Sequence, residues 1–395
     1  MDFLGREHFE MKKFAFVNGN VFDTDTESFI KTNILCDDGY ITDITSDPAP
    51  VGYAVVDLNG KYIIPGLVDV HTHGIAGCDF NFADEKQVAN MCRAYAKHGT
   101  TSIMATLASA PLTSLMNSIF AINPNRLESK SDGANILGIH LEGRYLNPEK
   151  KGAHNIEYLS APSTTELDDL AQAMLPAPLH FSLAPELEGA EEFIKRAKEY
   201  GATIGIAHTS ATYEKALEAV KWGASAFTHT FNAMTPIHHR MPGATVCALT
   251  NDASYAEAIC DGMHVHPAII RLIYKSKPRD KMVLITDSLA AATWPDGEYD
   301  IAGTHVYVKD GVATDINGTL AGSTLTLFQG VKNMVKFLKL PFNRAIKYAT
   351  INPAKMVGAE FVGKIEKNYR ADFIVIDNIN EPEIEAVYVG ANKID

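Results

Sequence analysis

The strongest constraint on this chain is a rhythm. Between residues 67 and 286, short apolar β-type runs alternate with segments patterned as helices. The β-type runs cover 67–70, 102–106, 136–141, 179–183, 203–207, 226–228, 256–260 and 282–286. Helical periodicity fills 84–98, 111–122, 163–174, 190–200, 212–222, 242–251 and 267–275. Eight strands with helices between them predict an α/β fold, a closed (β/α)8 TIM-like barrel. A doubly wound open sheet is the competing arrangement, but no Gly-rich nucleotide loop follows the first run.

The texture differs at both ends. Phe14-Ala15-Phe16-Val17, Asn18-Gly19-Asn20, Asp37-Asp38-Gly39-Tyr40 and Leu58-Asn59-Gly60 read as short strands and hairpin turns. Phe373-Ile374-Val375-Ile376 and Ala386-Val387-Tyr388-Val389 resemble them at the far end. The two segments are expected to pair into a small β-sandwich domain over 1–64 and 365–395, beside a catalytic barrel domain over 65–364. At 395 residues the chain has room for one large and one smaller domain.

Composition narrows the partners. A formal net charge of -13 argues against nonspecific binding to nucleic acid or to an anionic membrane. No apolar stretch approaches the roughly 20 residues needed to span a bilayer. The opening, Met1 to Met11, is charged and lacks a signal-type apolar core. Cys36, Cys78, Cys92, Cys247 and Cys260 are an odd set of five without C-x-x-C spacing, which fits reduced thiols in a cytoplasmic protein.

In a parallel barrel the residues that act on a ligand gather where the strands end. The first run ends in His71-Thr72-His73, the third in Glu142, the fifth in His208, the sixth in His229 and the eighth in Asp287. His71 and His73, two apart on a strand, point to the same side. Neutral imidazole is a good ligand for divalent metals. Any one of these histidines alone reads as a satisfied buried polar group. Four of them with carboxylates on one rim read as a metal centre.

His71-x-His73 on the first strand with Asp287 on the last resembles the amidohydrolase superfamily. More narrowly, Leu141-Glu142-Gly143 with Lys151-Gly152-Ala153-His154-Asn155 is similar to the N-acetylglucosamine-6-phosphate deacetylase family. So are Ala207-His208-Thr209, Thr228-His229-Thr230-Phe231-Asn232-Ala233-Met234 and Asp261-Gly262-Met263-His264-Val265. Thr319-Leu320-Ala321-Gly322-Ser323 and Asn352-Pro353-Ala354 extend the match over nearly the whole chain.

The resemblance implies a hydrolase that removes acetate from N-acetylglucosamine 6-phosphate, with one or two divalent metals per subunit, zinc or iron. Glu142, His208 and His229 match the ligands of one metal. His71 and His73 match a second-metal pair that some members replace, with Glu142 as the bridge. Many amidohydrolases bridge instead with a carbamylated lysine from the fourth strand, and 180–186 contains no lysine. Asp287 matches the proton carrier and, with two metals, also a ligand; His154 matches the group that stabilises the oxyanion. Arg240 matches a phosphate arginine that reaches the neighbouring subunit, which implies a homodimer. His264 matches a further phosphate contact, and Asn232 and Ala233 match backbone contacts. Ala153, Asp261, Gly262, Met263, Leu320, Ala321 and Gly322 match segments lining the sugar. His140 shares the face of Glu142 and is read as a core group behind it. Arg144 departs from the family, which usually has proline there.

Three other readings compete. The substrate is N-acetylgalactosamine 6-phosphate in the nearest. In a second, a cyclic amide or nucleobase is hydrolysed, which leaves Arg240 and His264 unexplained. In the third, the barrel is a metal-free scaffold, which leaves the complete ligand set unexplained.

Overall fold

Apolar runs without a polar face must be covered on both sides, and the computed structural model shows how. It describes residues 13–127, 132–174, 176–301 and 304–395, so the charged segment Met1 to Met11 lies outside the described residues. Eight strands form one parallel sheet in sequence order: β1 (Leu67–Thr72), β2 (Thr100–Ala108), β3 (Asn135–Glu142), β4 (Leu179–Leu183), β5 (Thr203–Ile206), β6 (Ala226–Phe227), β7 (Tyr255–Ile259) and β8 (Met282–Ile285). Every residue of β1 and β2 is buried. Each expected β-type run lies on one of these strands.

The ring closes between β8 and β1 at their carboxyl ends. Asp287 N–H donates to the His71 carbonyl at 2.9 Å, and His73 N–H donates to the Ser288 carbonyl at 2.8 Å. Below them, Thr286 Oγ1 donates to the buried Asp69 carboxylate at 2.6 Å.

The helices pack outside: α1 (Glu85–Lys97), α2 (Leu112–Leu127), α3 (Thr164–Met174), α4 (Ala190–Glu199), α5 (Tyr213–Trp222), α6 (Ala244–Thr250) and α7 (Pro267–Ser276), then α8 (Leu327–Leu338) and α9 (Ile351–Met356). The first seven coincide with the expected helical segments. Their starts follow local chemistry: Asp84 and Gln87 form a capping box on α1, and Thr212 caps α5. The eighth and ninth were not anticipated. Nor was an antiparallel sheet of Gly297–Ile301, Thr304–Lys309 and Val312–Thr314, whose Val306, Val308 and Ala313 pack on Leu289, Ala290 and Ala291.

The two chain ends meet in a second sheet. Tyr62–Pro65 pairs antiparallel with Phe373–Ile376 and parallel with Phe14–Asp23, which carries Ser28–Asp37 on its other edge. Phe16 packs edge-on against Phe373 and Tyr388, with ring centroids 5.2 and 4.9 Å away, so residues from both ends share one core. A glycine joins this sheet to β1. At Gly66 a Cβ would stand 2.0 Å from Thr101 Oγ1, which excludes any larger residue.

Candidate active site

Three strands end in the same manner. Two residues beyond β5, β6 and β8 stand His208, His229 and Asp287, with φ of 41°, 30° and 51°. The left-handed region is costly for side chains other than glycine, on the order of 1–3 kcal/mol each, and residues held there cluster at functional sites. The turn swings each side chain over the barrel mouth. Glu142, the last residue of β3, and His71 and His73 at the end of β1 reach the same place from extended backbone.

These six side chains converge. His71 Nε2 is 3.3 Å from Glu142 Oε2 and 3.4 Å from Asp287 Oδ1. His73 Nε2 is 3.0 Å from Glu142 Oε2 and 3.2 Å from Asp287 Oδ1. On the other side, Glu142 Oε1 is 2.8 Å from His229 Nε2 and 3.4 Å from His208 Nε2. The carboxylate of Glu142 is therefore shared, one oxygen to each group. Strand β4 contributes no lysine between them.

The donor set fits a metal. The ring nitrogens of His208 and His229 that face each other are 3.1 Å apart. The opposite nitrogen of His208, Nδ1, lies 2.6 Å from the Lys150 carbonyl, which can only accept. That nitrogen therefore carries the hydrogen, and the Nε2 lone pair faces the cluster. His71 Nε2 is buried without a hydrogen-bond partner. The cluster divides into His71, His73, Glu142 and Asp287 on one side and Glu142, His208 and His229 on the other, each compact enough to hold an ion.

Electrostatics separate the two sides. Burial disfavours charge on every group, but for His71 and His73 the facing carboxylates of Glu142 and Asp287 outweigh it. His71 is lifted well above the usual histidine range and His73 to about 9. Burial dominates at His208, which falls to about 4, whereas Glu142 lifts His229 despite burial. Against its own burial, Glu142 is held well below the carboxylate range by His71 and by hydrogen bonds from imidazoles, and Asp287 is held at about 2 by His71 and His73.

The cluster forms the floor of a cavity of about 740 Å³. Its wall includes Ala153 and His154, Asn232 and Ala233, His264, and Leu320, Ala321 and Gly322. The unforeseen antiparallel sheet and the turn after it add Val306, Asp315, Asn317 and Thr319. His154 Nε2 stands 3.7 Å from Glu142 Oε2, while its Nδ1 accepts Ser109 N–H at 3.4 Å. Asp261, Gly262 and Met263 are not in the wall. Asp261 Oδ2 is 2.6 Å from His264 Nδ1, and its Oδ1 accepts the N–H groups of Met263 and His264. Arg240 is exposed on the loop after β6, outside the cavity, bonded to His239 Nε2.

Arg144 faces away from the cluster. Its guanidinium makes a two-pronged pair with Glu166 at 2.8 and 3.0 Å and donates to the Ala110 carbonyl. His140 is a buried core group that bonds Ser182 Oγ at 2.8 Å. Two acidic side chains near the cluster were missed by sequence reasoning. Asp79 lines the cavity with a buried oxygen lacking a partner, and burial raises its carboxyl to about 6. Glu257 lies beneath His71 and His229. A carboxylate in the middle of the apolar run Tyr255-Ala256-Glu257-Ala258-Ile259 was the available signal for it.

Comparison with known proteins agrees with this geometry. The amidohydrolase family model matches residues 62–394. An N-acetylglucosamine-6-phosphate deacetylase of Vibrio furnissii is 34% identical over 334 residues, covering 84% of this chain and 82% of that protein. An N-acetylgalactosamine-6-phosphate deacetylase of Escherichia coli O157:H7 is 34% identical over 342 residues, covering 86% and 89%. Among solved structures, an N-acetyl-D-glucosamine-6-phosphate deacetylase mutant from Mycobacterium smegmatis, in complex with N-acetyl-D-glucosamine-6-phosphate, superposes with a TM-score of 0.87. It is 29% identical and the match covers 97% of this chain and 100% of that one.

Proposed function

The chain belongs to the amidohydrolase family, and from that premise we propose that it hydrolyses the acetamide of N-acetylglucosamine 6-phosphate, releasing acetate and glucosamine 6-phosphate. The observation that carries this reading is the convergence of six ligand-type side chains on the floor of one cavity. Glu142, His208 and His229 would hold one divalent ion, and His71, His73 and Asp287 with Glu142 a second. Zinc and iron both suit this donor set. Such an ion, when bound, lowers the pKa of a coordinated water to about 7 and polarises a carbonyl.

The chain's own groups do the rest. Asp287, ionised at neutral pH, takes up the proton of the attacking water and returns it to the departing nitrogen. The Nδ1 of His154 is an acceptor, so Nε2 carries the hydrogen and donates to the oxyanion on the acetyl oxygen. His264 has Nδ1 tied to Asp261, which leaves Nε2 for a phosphate oxygen. Ala233 offers its backbone N–H to the same group beside Asn232, whose own N–H is tied to the His229 carbonyl at 3.0 Å, while Ala153, Leu320, Ala321 and Gly322 line the sugar. Asp261, Gly262 and Met263 act by holding His264 in place. Arg240, exposed and outside its own cavity, serves the cavity of a second subunit, so the working unit is a homodimer. None of the five cysteines, all among the described residues, forms a disulfide, which suits a reducing, cytoplasmic setting.

The test is acetate release from N-acetylglucosamine 6-phosphate, its galacto epimer and the unphosphorylated sugar, before and after chelation. The reading requires turnover of the phosphorylated gluco sugar and its loss on chelation. A second reading, the galacto epimer, has the support of an equally similar relative of that name. A higher kcat/KM for the galacto sugar would select it, and turnover confined to cyclic amides would sink both.

A further inference from the structure

Glu257 lies in the middle of β7 and is fully buried. Its neighbours Ala256 and Ala258 face the outer helices, so strand alternation turns Glu257 into the barrel interior. There its Oε2 meets two groups at once: His71 Nδ1 at 3.3 Å and the backbone N–H of His229 at 3.0 Å. Its other oxygen, Oε1, is 4.0 Å from His180 Nε2. Among the described residues Glu257 forms ion pairs with the imidazoles of His71 and His180 alone. A carboxylate buried so deeply is destabilising unless its partners repay it, so a fold needing only packing would place an apolar residue there.

The geometry points to Glu257 as a positioning residue for the metal centre, an inference that rests on the two-ion reading above. A carboxylate beside Nδ1 keeps the imidazole hydrogen on that atom, which turns the Nε2 lone pair of His71 toward Glu142 and Asp287. The same oxygen holds His229 N–H and so supports a backbone twisted to a φ of 30°. One side chain thereby aims a ligand of the second ion and braces a ligand of the first. The aim on His71 acts through a ring whose Nδ1 is bonded to Glu257. His229 keeps its own bonds to Glu142 and its backbone turn, so the second ion depends more on Glu257.

Purified parent, Glu257→Gln and Glu257→Leu are stripped with chelator and titrated with zinc in a metal buffer, reading bound zinc per chain and melting temperature. The expected result is two zinc ions in the parent. The weaker zinc falls about tenfold in affinity in Glu257→Gln and nearer 100-fold in Glu257→Leu, while the tighter one stays within about threefold. If Glu257→Leu does not fold, Glu257→Gln decides alone. Parental affinity for both ions in Glu257→Gln overturns the assignment, and so does equal weakening of both, which marks a merely structural role. A parent that binds a single zinc ion overturns the two-ion reading itself and takes this inference with it.

Discussion

The two sides of the cluster share one carboxylate and differ in almost everything else. Glu142 Oε1 faces two imidazoles from β5 and β6, of which His208 is locked by a backbone carbonyl and stays neutral at pH 7. Glu142 Oε2 faces two imidazoles from β1 that are drawn into charged form by flanking carboxylates. In the ion-free protein, protons occupy the second side in place of a cation. On the first side only His229, lifted by Glu142, can carry a proton that an ion must displace, whereas on the second both imidazoles do. The difference teaches that two neighbouring ligand sets joined by one carboxylate can be set apart by one further carboxylate, by tautomer and by charge.

The largest effect is expected where the two sides join. Glu142→Ala should abolish binding on both sides, with acetate release falling to background; bound metal per chain measured beside turnover checks this. Retention of one ion would break the comparison by showing that the sides are independent. Asp287→Asn should lower kcat on the order of 10²- to 10⁴-fold while the ion on the His208 side remains. Near-normal turnover would remove Asp287 as the proton carrier.

The dependence on pH sharpens the contrast. With His73 raised to about 9, an ion on that side must displace its proton at any lower pH. Its apparent affinity should fall by about tenfold per pH unit for each proton displaced, as pH drops from 8 to 6. On the other side His208, near 4, carries no proton to displace in that window, and only His229, lifted by Glu142, opposes binding. Competition titrations at three pH values would show one steep and one shallower site. The ion-free protein has the opposite trend. A raised histidine stabilises the fold fully below 6.5, and that contribution is lost as pH rises through 9, so melting of the chelated protein should fall by a few degrees between pH 6.5 and 9. Arg144→Ala lies outside both sides. It should cost about 1–3 kcal/mol of stability by stranding Glu166, with zinc binding unchanged.

Much of this was legible in the chain. The alternation of runs located every barrel strand, and ligand-type residues at five strand ends named the cluster that the fold assembles. Such signals are local, because each strand carries its own pattern and its own terminal residue. What escaped depends on partners far away in sequence. Glu257 gains its meaning from His71, 186 residues earlier. Arg144 stands out only as a departure from the family until Glu166 takes its guanidinium. The sheet over 297–314 consists of three-, five- and six-residue strands too short to announce a period, though it supplies a wall of the cavity. Helix α8 begins beyond the last expected strand, where the alternating pattern no longer directed attention.

The barrel's seam also has a consequence for assembly. The first and last staves touch through Asp287 N–H and the His71 carbonyl, and the side chains of those same residues face each other across the join. A cation gripped by both would act as a hoop, fastening the start of the cylinder to its finish. Loading the protein would then do more than arm its chemistry: it would rivet the first barrel strand to the last.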